Sequence, residues 1–121
     1  MSQRFGLVLA SALTLGLAMP VAAADLFGAI AFSPSTGKVG GGWNFASKDD
    51  ASGEAVTQCG VGDCAAVVVF PSCGAVAVGD GYGMGFSADP SAAKAEETAL
   101  ANCSGYTANC LITMSFCNDG Q

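Results

Sequence analysis

Phe27-Gly28-Ala29-Ile30-Ala31-Phe32 and, 46 positions later, Cys73-Gly74-Ala75-Val76-Ala77-Val78 write nearly the same phrase twice. A chance hexapeptide would end there, but the correspondence runs on. Trp43 matches Phe86 at an offset of 43, each just after a glycine-rich run. Ala51, Ala55, Val56 and Cys59 match Ala95, Ala99, Leu100 and Cys103 at 44, and Cys64 and Phe70 match Cys110 and Phe116 at 46. Small length changes in the loops account for the drift. A duplicated unit of about 45 residues is one supersecondary piece that needs its twin to cover its core. The two copies are residues 27–71 and 73–117.

Each copy predicts the order strand, strand, helix, strand. The first strand is GAIAF or GAVAV, and Ser33-Pro34-Ser35-Thr36-Gly37 carries the turn chemistry of a hairpin in copy one. The second strand is Lys38 to Phe45 in copy one and Gly81 to Ser87 in copy two, weakened and bent by glycines. Ser47 caps the first helix; Asp89, with Pro90 at the first helical position, caps the second. Ala92, Ala95, Ala99 and Cys103 recur at helical spacing, and Gly53 makes the copy-one helix the weaker of the two. Such alanine stripes let both helices lie close on one common sheet face. The last strands are Ala65 to Phe70 and Leu111 to Phe116; Val67-Val68-Val69-Phe70 lacks polar alternation, which points to a strand with neighbours on both sides. The expected fold is α+β: two tandem ββαβ repeats in one domain, a mainly antiparallel sheet with two helices on one face.

Ahead of the repeats, Arg4 precedes the uncharged run Phe5 to Met19, and Pro20 is followed by Val21-Ala22-Ala23-Ala24. A basic start, an apolar run and small residues two apart are the marks of an export signal, so residues 1–24 are read as a signal peptide cleaved after Ala24. The run stops short of the roughly 20 residues that span a bilayer. The expected product is a single disulfide-stabilised domain, 25–121, periplasmic or secreted and not held by a membrane. In it Lys38, Lys48 and Lys94 stand against ten carboxylates, with no Arg and no His. That balance argues against nucleic acid, whose phosphates demand Lys and Arg. It argues equally against anionic membrane surfaces.

All six cysteines lie beyond Ala24, an even count that reads as a disulfide framework in a short exported chain. Zinc is the competing use of thiolates, but there is no C-x-x-C pair and no His, and no metal or cofactor is expected. Internal symmetry selects a pairing among fifteen possibilities. Superposing the copies puts Phe27 on Cys73 and Pro71 on Cys117, which occupy corresponding ends of the first and last strands. Cys73 is therefore expected to face Cys117, leaving Cys59 with Cys64 and Cys103 with Cys110 to close the helix-to-strand loops.

FGAIAFSPSTGKVGGGWNF, an Ala-rich helix ending in Cys59, CAAVVVF, CGAVAVGDGYGMGF, a second Ala-rich helix and CLITMSFC together resemble the bacterial exported family known as domain of unknown function 4189. The resemblance covers nearly all of the chain beyond residue 24. It implies a secreted or periplasmic domain and carries no functional residues with it.

Several stretches imitate catalytic motifs. Thr36-Gly37-Lys38 ends like a phosphate loop but has Phe32 where the leading Gly belongs and Val39 where a Ser or Thr belongs. Ser35 to Lys38 fits S-x-x-K without the companion motifs of penicillin-binding enzymes. Gly79 to Gly85 leads into a strand, not into the helix that a dinucleotide fingerprint requires. Without His there is no Ser-His or Cys-His nucleophile system. Adjacent acids, Asp49-Asp50 and Glu96-Glu97, suit a helix's first turn or outer face better than a glycosidase pair, which must converge across a cleft. The favoured reading is a binding module of the cell envelope, inhibitor-like or accessory, with a protein or glycan partner; the alternative is a small carboxylate-dependent hydrolase. Candidate contact residues are Trp43, Tyr82 and Phe86. Equivalence across copies marks Trp43 and Phe86 for the core, whereas Tyr82, in the Gly79 to Gly85 segment, has no counterpart and is the better candidate for exposure.

Overall fold

A computed structural model describes residues 25–119, so the segment read as an export signal lies outside the described residues. The elements run β1 (Phe27–Phe32), β2 (Val39–Phe45), α1 (Lys48–Cys59), β3 (Ala65–Phe70), β4 (Cys73–Val78), a single 3-10 turn (Asp80–Tyr82), β5 (Met84–Asp89), α2 (Ala92–Ser104) and β6 (Leu111–Cys117). This is an α+β fold of two ββαβ units with antiparallel pairing throughout.

The strands form two three-stranded sheets, ordered β2-β1-β3 and β5-β4-β6, where one sheet was expected. Each helix packs on the strands of its own copy, so the helices cover opposite outer faces. The alanine stripes make each helix-on-strand contact close. Ala51, Ala55 and Cys59 of α1 bury against Ala29 and Ala31, and Ala95, Ala99 and Cys103 of α2 against Ala75 and Ala77. Ala92 stays at the surface. Gly40 and Gly85 bring strand and helix into backbone contact, since a Cβ on either would strike the helix at Ala55 and Cys59 or at Ala99 and Cys103. The other faces of β1 and β4 carry Ile30 and Val76, which meet Val68 and Phe70 in a shared core between the sheets. The order is helix, sheet, sheet, helix, with β1 over β4, β2 over β6 and β3 over β5. Exchanging the copies reproduces that arrangement.

Three local expectations give way. β3 is an edge strand: Val68 and Phe70 point inward and Val69 is 37% exposed. The central strands are β1 and β4, whose alanines disguise burial on both faces because small side chains look undemanding. β5 begins at Met84, not Gly81, because the 3-10 turn takes up the difference. The cap of α2 is Ser91, whose Oγ accepts from the Lys94 N–H at 3.3 Å, while Asp89 closes β5 and its Oδ1 accepts from the Ser91 N–H at 2.8 Å. Ser47 caps α1 as expected, and that helix runs unbroken through Gly53.

The bridges join Cys59 to Cys64, Cys73 to Cys117 and Cys103 to Cys110, the pairs that superposing the copies selects. Cys73 and Cys117 stand opposite each other on paired strands.

Candidate functional site

The ladders correct one equivalence that matters for the site. Ile30 pairs with Gly41 and Val76 with Phe86, and Ala31 with Gly40 as Ala77 with Gly85. The second strands therefore correspond at an offset of 45. Phe86 is the counterpart of Gly41, and Trp43, which falls at a register shift of β2 and is unpaired with β1, is not the counterpart of Phe86. The slip arose from matching aromatics instead of the glycines that touch the helices.

Nor are Trp43 and Phe86 core residues; they are 54% and 43% exposed, and Tyr82 is 49% exposed. The three do not form one patch. β2 and β5 lie on opposite edges of the sandwich, so Trp43 and Phe86 face different sides. Tyr82 lies in the β4–β5 turn with φ of 63°, and its ring covers Gly37 of the β1–β2 turn.

Trp43 is the residue with a cavity beside it. A groove of about 520 Å³ runs along edge strand β2, floored by Val39 and Gly40 to Gly42 and closed at one end by Trp43 and Phe45. Glu54 and Gln58 of α1 form one wall; Met114 of β6 forms the other. Gly41 lets the other copy pack directly on the floor of the groove: a Cβ there would lie 2.7 Å from Met114 Sδ and 2.8 Å from Phe116 Cε1. Trp43 is steadied by Phe116, their ring centroids 5.3 Å apart, and Phe116 in turn meets Phe70 at 5.2 Å. On the helix wall Gln58 Nε2 donates to Glu54 Oε1 at 2.7 Å. Glu54 is the one carboxylate in the lining. Asp49 and Asp50 sit in the first turn of α1, and Glu96 and Glu97 on α2 are likewise outside the lining, so neither acidic pair converges here.

Glu54, Gln58 and Met114 are groove residues that the sequence pattern did not single out. They come from a helix flank and from the other copy, and strand periodicity says nothing of either. The base of the site is tied down by Asn118, 2% exposed, which links the copies. Its Nδ2 donates to the Phe70 and Ser72 carbonyls at 3.1 and 3.3 Å, and its Oδ1 accepts from the Asn44 N–H at 2.9 Å, next to Trp43. Asn44 and Asp119 add a reciprocal pair at 2.8 and 2.9 Å.

The duplicated fold, its bridges and this groove can be set beside known proteins. Protein Rv1269c of Mycobacterium tuberculosis and Protein Mb1300c of Mycobacterium bovis are each 39% identical over 83 residues, 69% of this chain. The match spans 65% of the length of those relatives. The NMR structure of Rv1813c from Mycobacterium tuberculosis superposes with a TM-score of 0.60 at 29% identity, covering 83% of this chain and 81% of that one. The profile described as Domain of unknown function (DUF4189) matches residues 27–117, from the first residue of β1 to the last of β6, and both copies together make up the matched unit. The chain belongs to the DUF4189 family.

Proposed function

We propose that this is an exported binding module of the bacterial cell envelope, inhibitor-like or accessory, and that the groove on β2 is its contact surface. The observation that carries the reading is the exposed Trp43 at the mouth of an open, largely apolar groove. An aromatic ring held by a neighbour offers large contact area at small entropic cost. Three bridges in so short a chain fit an oxidising compartment, and among the described residues no helix is long and apolar enough to cross a membrane. Trp43 replaces Tyr82 as the expected anchor, because the Tyr82 ring is already engaged with Gly37.

Affinity capture from the host's envelope fraction, with oxidised chain 25–121 as bait, tests the reading. Trp43→Ala is expected to lose the captured partner, while Tyr82→Ala and Phe86→Ala retain it. Loss with Tyr82→Ala alone would move the contact surface to the hairpin turns. Capture no better than bare beads by every form would overturn the binding module itself.

A further inference from the structure

At Trp43 the second strand of copy one departs from the repeat by one residue. Phe27 pairs with Phe45 and Ala29 with Gly42, so Trp43 and Asn44 together oppose Gly28. In copy two Cys73, Gly74 and Ala75 pair with Asp89, Ala88 and Ser87, one against one. The extra residue makes a β-bulge, a device that re-aims side chains beside functional sites. Side chains two apart on a regular strand share a face. Here Trp43 meets Phe116 of β6 while Phe45 packs against the alanine cluster under α1, so the bulge puts the two aromatics on opposite faces. Asn44 takes the extra step at φ of 65°, in the left-handed region that asparagine tolerates better than most side chains.

The bulge is held by the residues that follow β6. Asn118 Oδ1 accepts from the Asn44 N–H at 2.9 Å, and Gly28 leaves room for that oxygen, since a Cβ there would lie 3.1 Å from it. Asn44 Nδ2 donates to Asp119 Oδ2 at 2.9 Å, and its Oδ1 accepts from the Asp119 N–H at 2.8 Å. The position in copy one equivalent to Asn118 is Ser72, which has no amide. Bulge and clasp thus occur together, on the strand that carries the exposed Trp43. We propose that Asn118 and Asp119 are positioning residues for Trp43: by holding the bulge at Asn44 they fix the ring at the groove mouth before a partner arrives. The proposal rests on the binding-module reading and adds the residues that pre-organise its anchor. A ring ordered in advance has less freedom to lose on contact, and the difference appears as affinity.

Trp43 is the only tryptophan, so its fluorescence reports on the ring without a label. Asn44→Gly keeps the positive φ and the backbone N–H but deletes both side-chain bonds to Asp119. Asn109→Gly is the matched control: Asn109 has φ of 59°, its Nδ2 donates to Asp80 Oδ2 at 2.8 Å, and it lies outside the groove lining. Time-resolved anisotropy of the oxidised protein is expected to show fast local motion of the ring about twofold larger in amplitude in Asn44→Gly and Asp119→Ala, and unchanged in Asn109→Gly. Asn118→Leu should also shift the emission to the red as the ring leaves Phe116; where that variant does not fold, the other two keep the test in force. Capture of the envelope partner should weaken about fivefold in Asn44→Gly and Asp119→Ala and hold in Asn109→Gly. Ring motion unchanged by Asn44→Gly and Asp119→Ala would overturn the clasp. So would motion raised equally by Asn109→Gly, which would reduce the effect to general loosening. A loosened ring with undiminished capture would overturn the role of the clasp in binding. Absence of capture by wild type would instead remove the binding-module reading, while the anisotropy still decides whether Asn118 and Asp119 hold the ring.

Discussion

Ser33 shows what a single polar residue contributes to this fold. It is completely buried at the end of β1, and its Oγ donates to Asp63 Oδ1 at 2.5 Å while accepting from Thr36 Oγ1 at 2.8 Å. Asp63 Oδ2 also accepts from the Ser35 N–H at 3.0 Å, so one carboxylate from the α1–β3 loop organises the whole β1–β2 turn. The Ser33 hydroxyl, followed by Ser35, holds the Asp63 carboxyl below the ordinary aspartate value of 3.8. A lowered carboxylate pKa stabilises the fold above the unfolded value and loses that contribution as pH falls through the folded one. Wild type should therefore be more stable than Asp63→Asn at about pH 6, and the gap should shrink as pH falls below 3.8 through the lowered value. Denaturant melts of both proteins across that range check it; a gap independent of pH would mean that the charge is immaterial.

At the scale of elements, the two helices do the same work with different material. Both carry a bridged cysteine in the last turn and lay alanines on a strand glycine, but α1 carries Gly53 at an exposed position with nothing within 4 Å of where a Cβ would stand. Glycine in a helix interior costs about 1 kcal/mol against alanine, through the freedom it gives the unfolded chain. Gly53→Ala should accordingly raise stability by about 0.5–1 kcal/mol, a few degrees in Tm for a domain of this size. Calorimetry decides it, and a lower Tm would show that α1 uses the glycine in a way its packing does not reveal. The same substitution at Gly40 should have the opposite sign, since there the helix backbone fills the space.

In the whole molecule the copies are joined through one core. Phe70, 1% exposed, lies against Gly28 of β1 and Gly74 of β4, and touches Phe116 of β6. Asn118 stitches the same end with hydrogen bonds to the Phe70 carbonyl of copy one and to the Ser72 carbonyl between the copies. Separated, each copy would expose the sheet face that carries Ile30 and Phe70 or Val76, and about 45 residues are too few to make that good. The full chain should unfold in a single transition. Fragments 25–72 and 73–121, each alone, should show none by circular dichroism, despite the two bridges internal to the second. A cooperative melt in either fragment would mean that the copies are independent domains.

Internal repetition made much of this protein legible in its sequence. The α+β class, the ββαβ units, the helix stripes and the cysteine pairing follow from residues that recur at near-constant offset, because local periodicity and symmetry are properties of the chain itself. What the repeat does not encode is how the two units face each other. Alanine under a helix and alanine in one continuous sheet look the same in the sequence, and only packing Ile30, Val68, Phe70 and Val76 together divides the strands into two sheets. The groove belongs to that second level. It needs the β2 register to set Gly41 opposite Ile30, α1 to supply Glu54 and Gln58, and the other copy to supply Met114. These residues are far apart in the chain, and burial between facing sheets is what brings them to one place.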